Sequence, residues 1–305
     1  MKVTRRHFTM TAGAALGAAL LPRRGWAGAS VEMGSARIDV LSDGHLILPG
    51  GFILGDLPAD EVAPILARYG LDGNEFRPDC NVTLYRDGTN TVLFDVGSGN
   101  DFMPSAGKLP EALDALGVSA EEVTHVVFTH GHPDHLWGLL DEFDEPLFAN
   151  ASFMIGRTER DYWTDPNTVS TIDPARQTFA VGAKRRLDAI ADLVEVFEDG
   201  AEILPGIAAR ATIGHTPGHM AFEIRQGNEA AMVLGDCIGN HHLAFERPDW
   251  LSGSDQDKPL AAETRVGLLD QLAAEQTRLI GFHLPFPGIG RAERFESGYR
   301  YVPED

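Results

Sequence analysis

Phe128-Thr129-His130-Gly131-His132-Pro133-Asp134-His135 packs three imidazoles and a carboxylate into six positions directly behind an apolar run. Val126, Val127 and Phe128 read as a short core strand, so the polar cluster leaves that strand at its carboxyl end, where sheet proteins place their sites. Gly131 predicts a tight turn, and Pro133 stiffens it, letting His130 and His132 point one way while Asp134 and His135 point another. Two metal ions side by side suit that arrangement. Mixed imidazole and carboxylate ligands favour zinc, or another borderline first-row ion, over calcium or magnesium, which prefer oxygen alone. A single histidine here would be an ordinary core or surface residue; the H-x-H-x-D-H string reads as a metal site.

The chain around this turn has 305 residues, 43% of them hydrophobic, enough for a substantial core, and no repeat or low-complexity linker divides it. Residues 1–29 hold five basic residues and no acidic one. Thr4-Arg5-Arg6-His7-Phe8, a weakly apolar run from Met10 to Leu21 and the small residues Ala27-Gly28-Ala29 resemble a twin-arginine export leader, cleaved before Ser30. The expectation is therefore a leader over 1–29, a single catalytic domain over 30–305 and a periplasmic location. The apolar run is too short to span a membrane, so no stable insertion is expected once the leader is removed. Residues 30–305 carry 20 basic against 45 acidic side chains, a formal charge of −25, which argues against nucleic acid as a partner. Only two cysteines occur, Cys80 and Cys237. They read as small core residues, although one bridge stays open in an oxidising compartment.

Taken in order, Ala36 to Asp43 and Leu46 to Leu48 read as a hairpin about the turn Ser42-Asp43-Gly44, and Asp60 to Tyr69 as a helix. Val82 to Arg86 and Thr91 to Val96 form a second hairpin that runs into Asp95-Val96-Gly97, placing Asp95 as a partner for the histidine turn. Leu109 to Leu116 is a helix closed by Gly117, and Ser119 to Glu122 has capping-box spacing. Beyond the histidines come a strand at Phe153 to Ile155, a helical turn at Thr158 to Trp163, and a helix from Pro174 to Ile190 with Lys184, Arg185 and Arg186 on a solvated face. Ile207 to Ile213 delivers Gly214-His215-Thr216-Pro217-Gly218-His219. A hairpin, Ala221 to Arg225 with Ala231 to Leu234, ends in Gly235-Asp236; a helix from Leu260 to Ala274 precedes the strand Arg278 to Phe282, which ends in His283. Strands thus repeatedly finish in histidine or aspartate.

That order of residues resembles the metallo-β-lactamase superfamily: H-x-H-x-D-H, a later histidine, an aspartate, and a final histidine. The resemblance implies an α/β fold, a four-layer αβ/βα sandwich with the site along one edge. It assigns His130, His132 and His215 to one metal, Asp134, His135 and His283 to the other, and Asp236 as the bridge, with His219 and Asp95 orienting ligands from behind. Leu41 to Gly44, Gly214 to His219, His283 to Gly290 and Gly298 to Pro303 further resemble the methyl parathion hydrolase branch, which includes exported phosphotriesterases, lactonases and esterases. By position, Leu48, Phe102, Trp163 and Phe179 would line an apolar substrate pocket.

Membership of such a branch implies a hydrolase with two divalent ions, zinc by donor set, whose shared hydroxide attacks a small neutral organic substrate: a lactone, aryl ester or phosphotriester. Asp134 and Asp236 would carry the proton. The branch also implies a homodimer. Two other readings stay open, a mononuclear iron enzyme of the persulfide dioxygenase kind and a non-catalytic metal-binding protein on the same fold.

Overall fold

The computed structural model describes residues 27–304. Two seven-stranded sheets carry the chain, and in each of them spatial order follows chain order. The first runs from Ala27–Met33 through Ala36–His45, Asp79–Arg86, Thr91–Phe94, His125–Phe128 and Ser152–Gly156 to Val194–Phe197; the last four strands are mutually parallel. The second runs from Glu202–Leu204 to Gly298–Pro303, antiparallel except where Glu229–Val233 meets Arg278–Ile280.

Alternation along the strands divides the core into layers. Val126 and Phe128 face one way, into a cluster with Leu113 and Leu187 of the helices Leu109–Leu116 and Gln177–Ala189. Val127 faces the other way and meets Phe222, Ile224 and Val233 of the second sheet. On that sheet's far side, Met232 and Leu279 pack against Leu268, Leu269 and Leu272 of the helix Lys258–Glu275. Helix, sheet, sheet and helix therefore stack as the expected four-layer sandwich. Among the described residues no helix is long and apolar enough to cross a membrane.

Several local expectations change. Residues 1–26 of the expected leader lie outside the described residues; Ser30, the expected first mature residue, stands in the first strand opposite Asp39. That first strand is the hairpin partner of Ala36–His45, whereas Ser42-Asp43-Gly44 is an irregularity within the strand and Leu48–Pro49 pairs instead with Glu75–Phe76. Asp43 is no turn residue, because its buried carboxylate accepts the backbone N–H groups of Ser98, Gly107 and Leu109. The helix expected from Pro174 breaks into a 3₁₀ turn, Pro174–Arg176, and then Gln177–Ala189. On it Lys184 and Arg185 do face outward, but Arg186 is 3% exposed, stacked 4.5 Å from the Trp137 ring with Nε donating to the Trp137 carbonyl. Cys80 and Cys237 are both free and buried, as ordinary core residues.

Candidate metal centre

The histidine turn is fixed from three sides. Asp95 sits in the left-handed region (φ 66°), a conformation costly for any residue but glycine, asparagine or aspartate. Its carboxylate accepts the backbone N–H and hydroxyl of Thr129, each at 2.8 Å, and Nδ1–H of His135 at 2.7 Å. Gly131 is required by packing and not by its dihedral, since a Cβ there would lie 2.5 Å from the Trp163 indole. Glu159, fully buried, accepts Gly131 N–H, Trp163 Nε1–H, the Thr216 hydroxyl and Gly218 N–H at 2.6–2.9 Å, tying this turn to the Gly214–His219 loop. Burial raises its carboxyl despite those four donors.

All seven expected side chains are buried and lie in two overlapping groups, His130, His132, His215 and Asp236, and Asp134, His135, Asp236 and His283, with the facing donor atoms of each within 4.8 Å of one another. In the first, Nδ1 of His132 stands 3.0 Å from Nε2 of His130 and 2.9 Å from Nε2 of His215. In the second, Nε2 of His283 stands 3.1 Å from Asp134 and 3.2 Å from Asp236, whose other oxygen is 3.1 Å from Nε2 of His135. Asp236 belongs to both.

The far nitrogens explain why these lone pairs face inward. Nδ1 of His130 meets the Thr129 hydroxyl, that of His215 meets Asp255 at 3.0 Å, and that of His283 meets the Asp79 carbonyl at 2.8 Å. His219 stands behind, accepting Asp236 N–H at Nε2 (2.9 Å) and engaging Thr212 through Nδ1. Burial drives the protons off His130 and His132, whose pKa values fall well below the ordinary range. Burial would raise Asp255, but hydrogen bonds from His215 and the charge of Arg265 outweigh it and hold the carboxylate ionised.

The donor set fits cations. Asp134 Oδ2, His135 Nε2 and Asp236 Oδ1 are buried, and although they stand close to neighbouring donor atoms none is aligned in a hydrogen bond, which folded proteins avoid unless an ion or ligand completes them. Imidazole nitrogens with carboxylates are the donors of zinc and its neighbours.

A family model for the metallo-beta-lactamase superfamily matches residues 77–281. The chain belongs to that superfamily. Among solved structures, AidC, a dizinc quorum-quenching lactonase in complex with the product N-hexanoyl-L-homoserine, superposes with a TM-score of 0.85 at 26% identity, covering 92% of this chain and 98% of its own. The hydrolase AbOPH matches with the same values. A Mycobacterium bovis relative described as uncharacterized, Mb2612c, is 29% identical over 226 residues, 71% of this chain and 90% of its own length. Superfamily, lactonase neighbours and the two His/Asp groups together support a hydrolase that binds divalent metal.

Leu48, Phe102 and Phe179 line the pocket above the two groups, together with Phe52 and Ile53. Trp163 does not. It is fully buried behind Gly131, and its indole N–H is held by Glu159, so the expected wall residue is a support of the histidine turn. His241 is half-buried and His242 buried, stacked on Phe76 at 5.5 Å. Sequence reading missed Asp255, Glu159, Phe52 and Arg176, whose roles depend on partners distant in the chain and not on the element that carries them.

Proposed function

We propose that this protein is a dinuclear metal-dependent hydrolase of small neutral esters, with lactones as the first substrate class and aryl esters and phosphotriesters as related ones. The observation that carries the reading is two donor groups sharing Asp236 at the floor of a pocket walled by Leu48, Phe102 and Phe179. His130, His132 and His215 would hold one cation, Asp134, His135 and His283 the other, with Asp236 between them. When bound, such ions supply water activation near neutral pH and polarise a substrate oxygen. The protein's own part is positional. Asp134 and Asp236, whose carboxylates line the pocket, are the groups placed to pass a proton to a leaving oxygen. The apolar walls seat an uncharged substrate and exclude bulk water.

Zinc is the proposed metal, the periplasm the proposed location after cleavage before Ser30, and a homodimer the proposed assembly. The deciding experiment measures metal content and hydrolysis together. Protein loaded with zinc should bind two equivalents and open a γ-lactone, and His132→Ala should lower kcat/KM by at least about 100-fold, the scale of losing a metal ligand or its support. One iron per chain with no hydrolysis of lactone, aryl ester or phosphotriester would replace this reading with the mononuclear one.

A further inference from the structure

Arg176 ends the 3₁₀ turn Pro174–Arg176, and its side chain reaches the wall of the pocket beside His132. It is 6% exposed. Nη2 donates to the carbonyls of Gly253 and Ser254, both at 2.9 Å, and the guanidinium carbon stands 5.6 Å from the centre of the Phe52 ring. Nη1 is buried with no hydrogen-bond partner. The carboxylates whose charge it feels most are already engaged, Asp255 by His215 (3.0 Å) and Arg265 (3.2 Å), and Asp173 by Ala175 N–H (2.8 Å). A guanidinium taken out of water with a donor left over is costly. Two backbone carbonyls and an aromatic face hold this one in place, so the unspent N–H is oriented before any substrate arrives.

We propose that Arg176 is a specificity-determining residue whose guanidinium, at the pocket wall, donates to a second acceptor oxygen of the substrate, an amide or keto carbonyl outside the bond being cleaved. The inference rests on the hydrolase reading and narrows it to lactones or esters that carry such an acceptor between the reacting carbonyl and an apolar chain. Phe52 stands against Arg176 and Phe179 lines the same pocket, so a chain leaving the acceptor meets apolar wall. Arginine presents its donors in a fixed fork, which selects acceptor position as well as presence.

The test uses the zinc-loaded full-length mature chain and a matched pair of γ-butyrolactones, one with an α-hexanoylamino substituent and one with an α-alkyl chain of the same length. Wild type should prefer the acylamino lactone in kcat/KM. In Arg176→Met that preference should fall about 10- to 100-fold, the range of a hydrogen bond from a charged donor, chiefly through KM, and Arg176→Lys should recover part of it. Equal losses on both lactones would mean that Arg176 only holds the Gly253–Ser254 loop, and would overturn the proposal. Turnover of both lactones by wild type without preference overturns it too, and needs no variant to fold. Turnover of neither by wild type sinks the hydrolase reading itself and this role with it.

Discussion

Asp95 concentrates the residue-scale argument, because one side chain meets three donors while its own backbone sits at φ 66°. Asparagine tolerates that dihedral, so Asp95→Asn changes the acceptor set without adding strain. Only one of its two polar atoms accepts, and the amide NH₂ must then face Thr129 or His135. Nδ1 of His135 loses the partner that keeps Nε2 unprotonated and inward. Metal affinity, read by competition with a chromophoric chelator, should drop about 10- to 100-fold, and an unchanged affinity would show that the Asp95 bond does not set the tautomer. Gly131 makes a steric counterpart. A methyl group there lies 2.5 Å from an indole that cannot withdraw, being buried and bonded through Nε1 to Glu159. Gly131→Ala should cost about 1–3 kcal/mol in denaturant unfolding, the range for an overpacked core, and weaken metal binding with it.

Among elements, strands that end in a ligand were legible in the sequence, and the reason is covalent: His130, His215, Asp236 and His283 each come within a few residues of an apolar run whose periodicity can be counted. The helix Gln177–Ala189 was legible as a helix, yet the fate of Arg186 was not, since Trp137 and Asp101, distant in the chain, turn it inward. His242, at the start of the helix Leu243–Glu246, shows the same limit and carries a pH signature. Burial, with a lesser push from His241, holds its pKa down to about 3. The unfolded chain takes up that proton near pH 6.5 and the folded chain does not, so stability present above pH 6.5 is lost as pH falls from there towards 3. Between about pH 7 and pH 5.5 this one group removes about 1 kcal/mol. His242→Phe, which keeps the stack on Phe76, should lose about that much less than wild type over the same interval in urea unfolding. Parallel pH profiles for the two proteins would mean that the imidazole titrates normally.

At the scale of the whole molecule, the donor groups join the two halves of the sandwich. His130, His132, Asp134 and His135 lie just past a strand of the first sheet, whereas His215, Asp236 and His283 lie just past strands of the second. The supports that hold them, Asp255 on a loop and Glu159 on the helix Arg157–Thr164, act only through contacts between segments distant in the chain, which is why no sequence pattern announced them. Cations that bind this junction cannot find it in the unfolded chain, so metal affinity becomes folding stability by mass action. Free metal at about a thousand times its dissociation constant adds roughly 4 kcal/mol. For a chain of this size that corresponds to a rise in Tm on the order of 10 °C. Chelation should remove it, and re-addition of zinc should restore it. Asp236→Asn supplies the internal control, because it weakens the one ligand common to both groups and should leave little Tm for a chelator to take away. If wild type loses its metal to the chelator and melts at an unchanged temperature, the seven side chains do not bind metal as a junction between the sheets.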